Sequence, residues 1–156
     1  MRLGEAALEQ EVRSGTAQLL ARVEAAFAGG EGWAERLRAA AYELRDFLCE
    51  DGQRARAMVL EAPAGNEATR RMREGGVAAL AALIDSGRAE LEEPGSVPGL
   101  AAEIAAGAIY NRIHLGLERG PEALDDEMVR ELMYTAVLPY LGIEGAMHEL
   151  QAPRPG

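Results

Sequence analysis

A chain of 156 residues is long enough to bury the hydrophobic core of one domain and too short to form two domains with substantial cores. Its formal net charge of −10 argues against a nucleic-acid-binding surface and against contact with an anionic membrane, because both need a basic patch. Aromatic residues are only 4% of the chain, β-branched residues are sparse, and alanine, leucine, glutamate and arginine dominate, so the composition favours helices over sheets.

Three helices are predicted in the first part of the chain. Apolar or small residues recur every three or four positions over residues 8–27, and the Gly29-Gly30 pair ends this first helix. A second amphipathic helix is predicted from about Trp33 to Glu50. A short third helix is predicted near residues 53–62, where Pro63 closes it because proline cannot continue the helix ladder.

The fourth helix is predicted to begin at the N-cap Asn66 and to run to about Gly87. It contains the adjacent residues Gly75 and Gly76. Because a glycine inside a helix costs about 1 kcal/mol relative to alanine, the pair indicates a kink, a close approach of another backbone or a slack point beside a cavity. Three arginines before the pair are interpreted as a solvated face: Arg70, Arg71 and Arg73.

The last two helices follow a loop that is rich in proline and glycine. Ser96 is predicted to cap the fifth helix, with Pro98 in the first turn, and this helix runs to about Arg119. The sixth is predicted to begin near Asp125, whose acidic first turn complements the helix dipole, and to end around residues 138–141.

Both of these helices are apolar around most of their circumference, so they need to be covered on all sides. Six helices in a domain of this length are too few to wrap both of them. We therefore predict a two-fold homodimer in which the last two helices of each copy form an intermolecular four-helix bundle. The residues predicted at the interface are Ala105, Ile109, Ile113, Met133, Val137 and Tyr140.

The sequence contains no recognisable catalytic or metal-binding motif. The two histidines, His114 and His148, form neither an HExxH nor a Glu-x-x-His pair, and a single cysteine cannot supply a thiolate site. A glycine-rich phosphate loop and a GxSxG elbow are also missing. We therefore expect no metal, no cofactor and no enzymatic activity.

An apolar pocket is predicted among the second to fifth helices, since ligand pockets are mostly apolar with a few polar anchors. The glycine pair and the adaptable methionines leave room there. Each apolar candidate has the alternative of being ordinary core, and His114 has the alternative of a hydrogen-bonded histidine at the dimer seam or the surface. The predicted ligand-binding residues are Tyr42, Phe47, Met58, Met72, Tyr110 and His114.

The cellular compartment is predicted from two features. Cys49 has no partner for an intramolecular disulfide and lies in an apolar helical segment, which suits a reducing compartment. The chain shows no signal-peptide pattern and no run of about 18 apolar residues that would span a membrane. These features predict a cytoplasmic protein.

Four segments carry a resemblance to a known family: LLARVEAAFAGGEGWAERLRAA, RARAMVLEAPAGNEATRRMREGGVAALAALID, LAAEIAAGAIYNRIHLGLERGPEAL and ELMYTAVLPYLG. In this order the segments resemble the C-terminal ligand-binding and dimerisation domain of TetR-type transcriptional regulators. The resemblance implies an all-α, six-helix antiparallel bundle over residues 15–145, which dimerises through its last two helices and binds a small apolar or amphipathic molecule. Residues 1–14 are then an N-terminal extension that enters the first helix, and residues 146–156 are expected to be a disordered tail.

The family's helix-turn-helix head has no counterpart before Leu8, so we expect no direct binding of nucleic acid by this chain. The leading hypothesis is a dimeric domain that senses a small effector. One alternative is an interaction protein that forms heterodimers with a homologue carrying the head. A small helical enzyme acting on an apolar substrate is a further alternative, with His114, Tyr110 or Glu103 as the reactive residue.

Overall fold

The structure, a computed structural model, describes residues 3–156. This range is mostly helical and contains no strand, which confirms the predicted all-α class. Six α-helices build it: α1 (Glu5–Phe27), α2 (Trp33–Glu50), α3 (Gly52–Arg56), α4 (Glu67–Asp85), α5 (Ala101–Arg119) and α6 (Asp126–Glu149). Helix α1 packs on α2 and α4, α4 packs on α5, and α6 contacts both α2 and α5.

The predicted N-cap at Asn66 is confirmed, and Asp125, where the sixth helix was predicted to begin, is the N-cap of α6. The side chain of Asn66 accepts a hydrogen bond from the Thr69 amide at 2.9 Å, and the side chain of Asp125 accepts one from the Met128 amide at 2.8 Å. Each satisfies an amide that would otherwise lack a partner in the first turn of its helix. The starts of α4 and α6 are therefore determined locally by the sequence.

The predicted cap at Ser96 is wrong. Ser96 ends a short 3₁₀ turn, and α5 begins only at Ala101. The reason is a tertiary contact: the Arg88 guanidinium donates hydrogen bonds to the carbonyl oxygens of Pro94, Val97 and Pro98. These bonds hold the segment before α5 in a loop.

The third helix is less regular than predicted. After the five residues of α3 the chain forms a π-helix, Ala57–Glu61, and then a 3₁₀ turn, Ala62–Ala64. A Cβ atom on Gly15 would lie only 2.5 Å from the Met58 sulfur, so the missing side chain of Gly15 lets α1 approach the π-helix closely. Such π-helical turns are rare and are frequently found at functional sites.

The end of α6 also differs from the prediction. The helix bends at Gly142, which adopts a positive φ of 75°, and then continues to Glu149. Residues that we expected in a disordered tail are buried: Ala146, Glu149 and Ala152 are 0%, 1% and 3% exposed. The glycine supplies the left-handed conformation that lets the chain bend after Pro139 and form a further helical turn against the protein.

A buried ion pair joins this last part of α6 to α2. The Arg38 guanidinium donates two hydrogen bonds of 2.8 Å, one to each carboxylate oxygen of Glu149. The two side chains are 12% and 1% exposed. Farther along, Arg154 pairs with Asp46 of α2, so the C-terminal segment is attached at two points.

The structure corrects the residues that we expected at the dimer interface. All six, Ala105, Ile109, Ile113, Met133, Val137 and Tyr140, are at most 6% exposed within a single chain and belong to its core. The large apolar side chains that are exposed in residues 3–156 lie instead at Leu100, Ile104, Leu115, Leu138, Leu141, Ile143 and Met147. The faces that we assigned to a second copy are covered by the chain's own helices.

Candidate ligand-binding cavity

An apolar cavity of about 140 Å³ lies between α1, α2, the π-helix, α4, α5 and α6. Protein interiors are close-packed, with few voids larger than a water molecule, so this volume is unusual. Its wall is mainly aliphatic; among the described residues, the polar side chains that reach it belong to Thr16, Arg45, Arg73 and Tyr110. A cavity with so few polar groups favours an apolar occupant over water.

Small and flexible side chains explain why the space is open. Ala40 and Ala41 of α2, Gly76 of α4 and Ala136 of α6 line the cavity without filling it. A Cβ atom on Gly76 would meet only the Thr16 methyl group, at 4.0 Å. Four flexible methionines complete the wall: Met58, Met72, Met128 and Met133. Methionine adapts readily to the shape of a neighbour, so the cavity can adjust to its occupant.

Tyr110 fixes one wall of the cavity. Its hydroxyl group donates a 2.7 Å hydrogen bond to the carbonyl oxygen of Val59 in the π-helix. Burial raises the pKa of Tyr110 above its ordinary value, against the opposing effect of the neighbouring Arg73 guanidinium. The bond connects α5 to the π-helix at the edge of the cavity.

The two arginines at the cavity differ in their partners. Arg45 forms ion pairs of 2.9 Å with Asp46 and with Asp126. Arg73 forms no ion pair with any carboxylate of residues 3–156, and its buried Nε atom has no hydrogen-bond partner there. Its guanidinium carbon instead lies 4.3 Å from the centroid of the Tyr110 ring.

This position corrects the interpretation of the three arginines on α4 as one solvated face. Arg71 is exposed and pairs with Glu67 at 2.6 Å, and Arg70 donates to the Gly65 carbonyl oxygen at 2.6 Å. Arg73 is half-buried and lines the cavity. Only the first two therefore match the interpretation.

A second depression, which we call the outer groove, lies beside the cavity between α4 and the start of α5. It is lined by Arg73, Glu74, Val77, Ala78, Ala81, Ala82, Asp85, Gly99, Ala102 and Glu103. Arg73 and Val77 line both the outer groove and the cavity. These two side chains therefore separate the cavity from the groove.

Three of the six predicted ligand-binding residues line the cavity: Met58, Met72 and Tyr110. Tyr42 is buried outside it, below the guanidinium groups of Arg45 and Arg154. Phe47 is also outside it and contacts Arg54. His114 lies away from the cavity and faces Glu118 at 3.6 Å. Its position agrees with the alternative of a histidine near the surface.

Several wall residues were missed by sequence reasoning. Helix α1 contributes Thr16, Leu19, Leu20 and Val23, although the predicted pocket involved only the second to fifth helices. Ile109, Ile113 and Met133, which we had placed at the dimer interface, also face the cavity. The apolar stripe of each helix was visible in the sequence, but which stripes face a common space depends on how the helices pack.

Few side chains at this site are of the types that bind metal ions or act in catalysis. Within residues 3–156, no cluster of three or more histidine, cysteine, aspartate or glutamate side chains is arranged to hold a metal ion. Of the three residues considered for an enzyme, Tyr110 alone lines the cavity, and its hydroxyl group is bonded to the Val59 carbonyl.

In the part of the chain that the structure describes, no helix has both the length and the apolar character needed to cross a membrane. No protein family, curated protein or solved structure matches the chain. The resemblance to TetR-type regulators therefore stays a prediction from the sequence segments.

Proposed function

We propose that this chain is a regulatory domain that senses a small molecule and pairs with a second copy through α5 and α6, as its resemblance to TetR-type C-terminal domains implies. The observation that carries the proposal is the apolar cavity in the middle of the helices. A cavity of about 150 Å³ lined by aliphatic side chains binds benzene, so the volume suits an apolar group of roughly that size.

Helix α1 is the element through which a ligand would act. Its residues Thr16, Leu19, Leu20 and Val23 form part of the cavity wall, and it packs on both α2 and α4. A ligand shifts a protein between two conformations only by binding one of them better. A molecule in the cavity would contact α1 directly and would thereby favour one position of that helix.

Self-association is supported by the distribution of exposed apolar side chains. Leu100, which directly precedes α5, shares one face with Ile104 and Leu115 of that helix, and the exposed small residues Gly107 and Ala108 lie between them. Such a face lets a second helix approach closely. Because soluble monomers rarely expose large apolar patches, a second copy is the partner that we propose for it.

The alternative of an interaction protein would use the same face of α5 and α6 to bind a homologue that carries a DNA-binding head. The cavity separates the two proposals, since an interaction protein has no need of space for a ligand. Filling the cavity tests sensing without altering the exposed face.

Replacing Gly76 by leucine should abolish binding of an apolar ligand. The new side chain would point into the cavity, where the Gly76 Cβ position is open, and would occupy the ligand's space. Helix propensity alone should stabilise the protein by about 0.5–1 kcal/mol. We expect toluene to raise the melting temperature of the wild type, because ligand binding stabilises the folded state by RT ln(1 + [L]/Kd), and to leave that of Gly76→Leu unchanged.

Gly75→Leu is the matched control. It makes the same change one residue earlier in α4, at an exposed position where an added Cβ meets nothing within 4 Å. We expect this variant to gain similar stability and to keep the toluene response. Equal responses in wild type and Gly76→Leu would exclude the cavity as the binding site.

A further inference from the structure

We infer that the ligand carries an anionic head group, a carboxylate in the simplest case, which Arg73 binds while an apolar body fills the cavity. This inference rests on the proposed ligand-binding function and adds the chemical class of the ligand. It depends on the charge, burial and orientation of one side chain.

No carboxylate within residues 3–156 neutralises the charge of Arg73. The chain carries 26 acidic residues against 16 basic ones, yet no carboxylate of residues 3–156 lies within ion-pair distance of this guanidinium. Its Nε donor is buried without an acceptor. One donor of each of Arg36, Arg54 and Arg112 is in the same state, but of these four side chains Arg73 alone lines the cavity. Its guanidinium is therefore a cation at the cavity wall that no carboxylate of residues 3–156 balances.

The guanidinium is held in place before any ligand binds. Its central carbon lies 4.3 Å from the centroid of the Tyr110 ring, a cation–π geometry, and the Tyr110 hydroxyl is anchored on the Val59 carbonyl oxygen. A planar guanidinium fixed in this way presents its donors in the fork that matches a carboxylate. The ordering of the side chain therefore precedes binding.

The location of Arg73 sets the orientation of the ligand. Arg73 lies at the boundary between the cavity and the outer groove, so a head group bound to it leaves the rest of the molecule in contact with the aliphatic wall. Glu74, Asp85 and Glu103 line the outer groove. Their negative charge would repel an anion that lay in the groove and would favour the cavity side of Arg73.

Arg45 does not compete for this role. It lines the same cavity, but its guanidinium is paired with Asp46 and Asp126 and also donates to the Leu124 carbonyl oxygen. Its donors already have acceptors within the protein. Selection between an acid and a neutral analogue should therefore depend on Arg73.

The test compares benzoate with benzamide, its neutral analogue of the same size, and with toluene, by isothermal titration calorimetry on the full chain at neutral pH and low salt. We expect the wild type to bind benzoate about 10- to 100-fold more tightly than benzamide, the range given by one charge-assisted hydrogen-bonded pair. In Arg73→Met, which keeps an apolar side chain at the wall, benzoate should lose this advantage and toluene should bind as before.

Two further variants make the result specific. Arg71→Met removes the same charge from an exposed position two residues earlier and should bind benzoate like the wild type. Arg73→Lys keeps the charge without the planar fork and should retain part of the preference, which guards against a loss caused by misfolding of Arg73→Met. Circular dichroism confirms the fold of each variant.

The outcomes separate this inference from the function on which it rests. Binding of toluene and benzamide as tight as that of benzoate, unaffected by Arg73→Met, would overturn the anionic head group and leave ligand sensing intact. Failure of all three probes to bind the wild type would overturn both. A benzoate preference that disappears only in Arg73→Met supports both.

Discussion

Replacing Arg38 by methionine should lower the free energy of unfolding by about 3–5 kcal/mol, as is usual when one partner of a buried ion pair is removed. Glu149, which is 1% exposed, would be left as a buried carboxylate without the two hydrogen bonds that it now accepts. Chemical denaturation followed by circular dichroism measures the change. The large effect depends on the buried position of the C-terminal turn of α6.

Two other variants test the cause of this loss. In the double variant Arg38→Met and Glu149→Met no buried charge remains, so most of the lost stability should return. Arg71→Met removes an exposed (i, i+4) pair with Glu67 and should change stability by less than about 0.5 kcal/mol. If Arg38→Met lost no more than Arg71→Met, the C-terminal segment would not be packed as described.

Replacing Ile104 by glutamate should dissociate the proposed dimer without unfolding the protomer. Ile104 is 69% exposed in the single chain, so the fold tolerates a charge there. In a symmetric interface the same carboxylate would be buried twice without a partner, which costs several kcal/mol. We expect the dimer Kd to rise roughly 100-fold or more, as measured by sedimentation at micromolar concentration.

Ala21→Glu is the control for this experiment, because it adds the same charge at an exposed position of α1. It should leave the association unchanged. A charge at Ile113 would be uninformative, since that side chain is 5% exposed and the substitution would disrupt the core. A dimer that persists in Ile104→Glu at wild-type affinity would place the interface elsewhere.

The helices that could be predicted are those whose limits are determined by nearby residues. The bounds of α2, Trp33–Glu50, follow from its apolar stripe and the Asp51-Gly52 stop. Asn66 and Asp125 cap their helices through hydrogen bonds to residues only three positions later in the sequence. In these cases sequence neighbours supply both partners of the contact.

The features that escaped prediction depend on partners distant in sequence. Ser96 fails as a cap because Arg88 holds the segment that follows it in a loop. The π-helix packs closely on α1 at Gly15, and the end of α6 stays ordered through Arg38. A periodic pattern contains no information about any of these contacts.

The cavity residues likewise divide into those that could be predicted and those that could not. Met58 and Met72 were predicted at the cavity because their side chains suit an adaptable wall. Ile109 was assigned to the wrong face of an almost wholly apolar helix. When a helix has two apolar faces, its sequence cannot show which one is covered by the same chain. Likewise, three arginines within four residues look equivalent until packing directs Arg73 toward the cavity.

The central claim, that the cavity binds a ligand, is tested most directly by toluene titration of the protein with ¹³C-labelled methionine methyl groups, followed by NMR. Four methionines line the cavity, Met58, Met72, Met128 and Met133, whereas Met147 is 50% exposed on α6 and serves as an internal control. We predict that the four cavity signals shift together and saturate while the Met147 signal stays in place. The proposal would be contradicted if saturating toluene shifted none of the four cavity signals, or shifted only the Met147 signal.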